Sequence, residues 1–111
     1  MKALVLEAYN KLVYREDYPE PRLRAPDDVI VRIRASAICG SDVHGMDGST
    51  GRRIPPIVMG HEAAGEIVET GSAVRLFKAG DRVTFDSTEY CGTCFHCRRG
   101  EVNLCDNRMV L

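Results

Sequence analysis

The chain has 111 residues, with fifteen Lys and Arg against sixteen Asp and Glu and a formal charge of -1. That length allows one domain with one core, and the near balance of charge speaks against a nucleic-acid partner or an anionic membrane surface. No stretch approaches the roughly 20 apolar residues of a membrane-crossing helix, and the charged opening MKALVLEAYNKLVYRED does not resemble an export signal, so the expected location is cytoplasmic.

In chain order, five runs rich in Val and Ile read as strands: Met1 to Glu7, Leu12 to Asp17, Val29 to Ile38, His61 to Thr70 and Asp81 to Asp86. In VIVRIRASA, Val29, Val31, Ile33 and Ala35 alternate with Ile30, Arg32, Arg34 and Ser36, the period of a half-buried strand with its arginines in solvent. The segments PEPRLRAPDD, GSTGRRIPP and FKAGD, the last with a turn at Gly80 and Asp81, punctuate these runs as expected of a small antiparallel barrel or sandwich. Helix is scarce, and a short turn around Arg98 to Leu104 is the best candidate. No G-x-G-x-x-G follows any strand, and the chain stops at Leu111 just after its last cysteine. Residues 1–111 are therefore expected to be a piece of a longer protein, without a dinucleotide-binding Rossmann half.

Cysteine usage is uneven. Cys91, Cys94, Cys97 and Cys105 form C-x2-C-x2-C-x7-C, while Cys39 lies far upstream in CGSDVH. An odd count without an export signal argues for reduced thiols and metal ligation. Four thiolates in one short lobe, 91–105, can close a tetrahedral shell around zinc, which predicts a structural ion. An iron–sulfur run of the ferredoxin kind would bring its next cysteine three residues on and follow it with Pro, whereas here seven residues intervene and Asp106 follows. Cys39, His61 and the adjacent Glu62 offer sulfur, nitrogen and oxygen without an evident fourth protein ligand, so a labile position can remain for a reacting oxygen. Asp42 is the candidate acceptor that fixes the tautomer of a metal-bound His61.

These motifs together resemble a known family. GHEAAGEIVETGSAV, with Gly60, His61, Glu62, Gly65, Gly71 and Val74, matches the signature of the zinc-containing medium-chain alcohol dehydrogenases. CGSDVH is similar to their catalytic-cysteine motif, and CGTCFHCRRGEVNLC to their structural-zinc lobe. The resemblance is to the N-terminal, GroES-like domain, closest to the sorbitol, xylitol and threonine dehydrogenase branch. It implies a mainly β fold, a partly open antiparallel barrel with a cysteine-rich zinc lobe. It also implies two zinc ions per chain, NAD or NADP bound mainly by another domain, and a homo-oligomer as full-length protein. The implied reaction is oxidation of a secondary alcohol, a polyol such as sorbitol or xylitol. By position, Cys39 and His61 would bind the catalytic zinc, with Glu62 a direct ligand or linked through water, and Asp42 would orient His61. Ser41 would contact the substrate hydroxyl, and His44 would pass the proton outward through the cofactor ribose. Gly65 and Gly71 are expected to permit close backbone approach or positive φ. A non-enzymatic, zinc-stabilised binding module is the alternative.

Overall fold

The computed structural model describes residues 1–110, so Leu111, the last position of the expected domain, lies outside them. β1 (Ala3–Ala8) and β2 (Lys11–Arg15) form an antiparallel hairpin in which Val5 faces Val13 and Leu6 faces Leu12. Its turn uses Asn10 at φ 61, a conformation that Asn tolerates better than most side chains. The other edge of β1 takes up β4 (Ile57–Val58), a two-residue strand too short to stand out in the sequence.

The second sheet pairs β3 (Val29–Ala37) with β5 (Glu62–Thr70), and β5 with β6 (Arg82–Thr84), all antiparallel. These strands fall within a few residues of the expected runs. The third is a two-stranded ribbon of β7 (Thr88–Glu89) and β8 (Met109–Val110), closing the base of the cysteine lobe. The architecture is mainly β, built from open antiparallel sheets.

The expected burial of β3 does not hold along its length. Arg32 and Arg34 are exposed as predicted, but Ile33 is also 49% exposed, and only Ile30 and Val31 are half-buried. Two register shifts against β5, between Ile30 and Val31 and between Ile33 and Ala35, break the period of two. Beyond them the described residues place no layer over this face. The apolar core is correspondingly small: Ala3, Val5 and Leu6 from β1, Ile67 from β5, and Cys105. Accessible surface is 8286 Å², with a mass of 12.3 kDa. A compact monomer of that mass exposes about 6,100 Å².

Helix also departs from expectation. A six-residue helix, α1 (Gly40–Gly45), follows Cys39 directly, where none was expected. In the lobe, α2 (Phe95–Arg98) ends where the single turn at Arg98 to Leu104 was predicted to begin. Gly100, at φ 80, separates it from a 3-10 turn, Val102–Leu104, because a left-handed residue cannot continue a right-handed helix.

Candidate metal centres

Three elements converge on the first centre. Cys39 is the last residue before α1, that helix carries Ser41, Asp42 and His44, His61 is the last residue before β5, and Glu62 is its first. Ligand atoms of Cys39, His61 and Glu62 all lie within 4.8 Å of one another. Because Ala37 pairs with Glu62 at the end of the β3–β5 ladder, the sheet itself brings the two sequence motifs together.

Asp42 organises this convergence. Its Oδ2 accepts from the backbone N–H of Cys39 at 3.2 Å, and its Oδ1 lies 3.0 Å from Nδ1 of His61. The guanidinium of Arg53 donates to the same Oδ1 at 3.2 Å. Burial alone would raise the Asp42 carboxyl, but the Cys39 amide, Arg53 and His61 outweigh it and hold the group below the usual carboxylate range. An ionised Asp42 accepts a hydrogen bond from Nδ1–H, leaving the lone pair of Nε2 as a ligand. Ser41 Oγ lies 3.4 Å from that Nε2.

His61 stands between two concavities. One is an open cleft of about 560 Å³ whose lining includes Glu62, Thr84, Phe85 and Asp86 as well as His61. The other, about 280 Å³, is lined by Ser41, Thr50, Arg52, Arg53 and His61. Of the expected residues, Cys39, Ser41, Asp42, His61 and Glu62 are brought together; His44, exposed in the last turn of α1, does not join the ligand cluster. Arg53 is the residue that sequence reasoning missed, since nothing in GSTGRRIPP sets it apart from Arg52. Its near-complete burial is visible only in the fold.

The second centre is the lobe. All five cysteines are free, and the sulfurs of Cys91, Cys94, Cys97 and Cys105 lie within 4.8 Å of one another. Donors surround them: the Cys91 amide reaches Cys105 Sγ at 3.3 Å, and Thr93 Oγ1 reaches Cys91 Sγ at 3.6 Å. The amides of Thr93 and Cys94, with the Thr93 hydroxyl, pull the Cys91 thiol down to about 5. Partial burial, then the neighbouring sulfurs of Cys94 and Cys105, push Cys97 up to about 12. Four sulfurs so close cannot all ionise cheaply alone, and a divalent cation at their centre removes the conflict. The donor set therefore fits zinc. Gly65 and Gly71 serve close approach, not positive φ: a Cβ on Gly65 would overlap the Arg32 carbonyl oxygen, and one on Gly71 that of Pro26. Positive φ falls on other glycines, Gly60, at 106, and Gly80, at 93, among them.

Comparison with known proteins shows the family. Residues 25–111 match the alcohol dehydrogenase GroES-like domain family. The chain is 44% identical over 112 residues to an L-threonine 3-dehydrogenase of Rhizobium etli, covering 98% of this chain and 32% of that protein. Galactitol-1-phosphate dehydrogenase of Escherichia coli superposes with a TM-score of 0.88 at 31% identity, covering 100% of this chain and 32% of that one. A Sinorhizobium meliloti protein solved bound to NADP gives a TM-score of 0.78 at 41% identity, covering 99% of this chain and 31% of that one. The chain thus spans about a third of the length of these relatives. Family match, fold and paired cysteine motifs agree: the chain belongs to the alcohol dehydrogenase GroES-like domain family.

Proposed function

We propose that this chain is the catalytic-domain part of a zinc-dependent, NAD(P)-linked oxidoreductase that oxidises a secondary alcohol of a small molecule, a polyol or a related hydroxy compound. The observation that carries the reading is the contrast between the two donor sets. Four sulfurs in the lobe leave no room for a substrate ligand, whereas Cys39, His61 and Glu62 supply three unlike donors beside an open cleft. The relatives' names, a threonine dehydrogenase and a polyol-phosphate dehydrogenase, support an alcohol substrate, and the NADP-bound neighbour supports a nicotinamide cofactor.

Zinc held by Cys39 and His61, with Glu62, would supply Lewis-acid polarisation of the substrate oxygen. The chain's own groups do the rest. Asp42 keeps the proton of His61 on Nδ1. The Ser41 hydroxyl, beside Nε2, would orient the substrate hydroxyl and take its hydrogen bond. Exposed His44, two residues beyond Asp42 on α1, is the group to hand a proton to solvent.

Metal stoichiometry tests the proposal. Two zinc ions per chain are expected, one resistant to chelation and one exchangeable, with Cys39→Ala losing only the exchangeable ion. A single tightly held ion in parent and Cys39→Ala alike would favour a zinc-stabilised binding module instead.

A further inference from the structure

A buried arginine is costly unless its charge is met, and Arg53 is among the most buried polar residues of the chain, with its side chain 9% exposed. It comes from an irregular loop, yet it reaches inward to the Asp42–His61 pair. Gly45 makes room for it: a Cβ there would stand 2.6 Å from Arg53 Cγ, so only a glycine lets the stem pass the end of α1. At its tip, Nη2 lies 3.2 Å from Asp42 Oδ1 and 3.1 Å from His61 Nδ1.

These two contacts cannot both be hydrogen bonds in the arrangement that frees Nε2. Guanidinium nitrogens only donate, so a bond to His61 would require a bare Nδ1, and that lone pair would then face the Asp42 oxygen at 3.0 Å. With the proton on Nδ1, Oδ1 accepts from both neighbours and the conflict vanishes. The Cys39 amide holds the other carboxylate oxygen, so Arg53 completes the clamp on Asp42.

We propose that Arg53 is a positioning residue: by fixing Asp42 Oδ1, it keeps the His61 proton on Nδ1 and Nε2 turned to Cys39 and Glu62. The consequence for metal rests on the reading above of Cys39, His61 and Glu62 as ligands; the tautomer does not, because it belongs to the metal-free chain. Removing Arg53 leaves Oδ1 with one partner and lets the carboxylate turn, so the imidazole proton redistributes between its nitrogens.

The test uses the full chain, with long-range proton–nitrogen correlation spectra of His61 recorded without metal. The parent should hold the Nδ1–H form. Arg53→Gln should show a substantial Nε2–H population, and Arg53→Lys should recover the parent spectrum. Loaded with zinc, Arg53→Gln should release the exchangeable ion about tenfold faster, at the lower end of what losing such a supporting partner costs. Gly45→Ala displaces the Arg53 stem while keeping its charge; it should shift the tautomer in the same direction, and it decides the matter if Arg53→Gln fails to fold. An unchanged tautomer in the folded variants overturns the proposal. A parent chain that takes up no exchangeable ion overturns the ligand reading alone, since the spectra of metal-free His61 still decide the role of Arg53.

Discussion

The Asp42 carboxylate accepts a hydrogen bond from the amide of Cys39 at 3.2 Å, so the same residue that orients His61 also anchors the chain at the thiol beside it. Asp42 sits three residues into the turn begun by Cys39, where a helix-starting acid reaches back to the unpaired amide. One side chain thereby sets the separation of two candidate ligands that lie far apart in sequence.

Asp42→Asn should therefore damage more than one contact. Its single carbonyl oxygen cannot serve Cys39, His61 and Arg53 together, and the Arg53 charge loses its partner. A stability loss of about 2 kcal/mol is expected, below the roughly 3–5 kcal/mol for breaking a fully enclosed pair, because a cavity adjoins the site. Affinity for the exchangeable metal should fall about 10- to 100-fold. Urea unfolding and metal competition measure the two effects, and parent-like values in both would remove Asp42 from the centre of the site.

How far the sequence reached follows from which signals are local. The strands β1, β2, β3, β5 and β6 carry their own Val- and Ile-rich runs and turn residues, and they stand close to where those runs lie. α1 was missed because GSDVHG holds two glycines and no apolar stripe; the acid three residues after Cys39 was its only trace. The two-residue strands β4, β7 and β8 exist through pairing with a partner, which no periodicity records. Alternation in VIVRIRASA specified which side chains share a face, but not whether anything covers that face. The cysteine spacing and the GHE motif pointed to the donor sets because ligand chemistry restricts residue type; Arg53 acts through burial, and a loop arginine has no sequence mark for that.

Gly65 offers a sharper test of the second sheet. Its partner in the ladder is Ile33, beside a register shift, and an added Cβ would overlap the Arg32 carbonyl oxygen and stand 2.8 Å from Val31 Cγ1. Neither atom is the end of a flexible side chain. Gly65→Ala should cost about 2–3 kcal/mol, in the range of overpacked sites. Gly40→Ala, with no atom near the added carbon, should stay within about 0.5 kcal/mol of the parent. Equal unfolding midpoints for the two variants would show that the β3–β5 approach is looser than described.

Acid sensitivity should include a contribution from Asp28. Its Oδ2 accepts from the amides of Arg24 at 2.7 Å and Ala25 at 2.9 Å, which hold the carboxyl below its ordinary value. A folded value below the unfolded one, about 3.9, means the stabilisation is complete above the unfolded pKa and is lost as pH falls through the folded one. The stability difference between the parent and Asp28→Asn should thus be constant near neutrality and shrink below about pH 4. The group is only partly buried, so the effect is modest. Urea midpoints at pH 7 and pH 3 read it directly, and a difference independent of pH would contradict the assignment.

The cysteine lobe should behave as a separable stability element. Its helical turns pack on each other, and β7 packs on β8, without comparable packing on the first two sheets among the described residues. Among the described residues of the apolar core only Cys105 comes from the lobe, so little hydrophobic burial orders the segment 91–105. Where burial is scarce, the free energy of metal binding becomes the free energy of local folding. Cys94→Ser removes one sulfur from a set of four that lie within 4.8 Å of one another, and should release zinc from the lobe. Amide exchange in 91–105 should then accelerate at least tenfold, while β1 and β5, which hold Leu6 and Ile67, stay protected. Lobe amides that remain as protected in metal-free Cys94→Ser as in the zinc-loaded parent would show that the lobe folds without its ion, and global loss of protection would show that the lobe also supports the sheets.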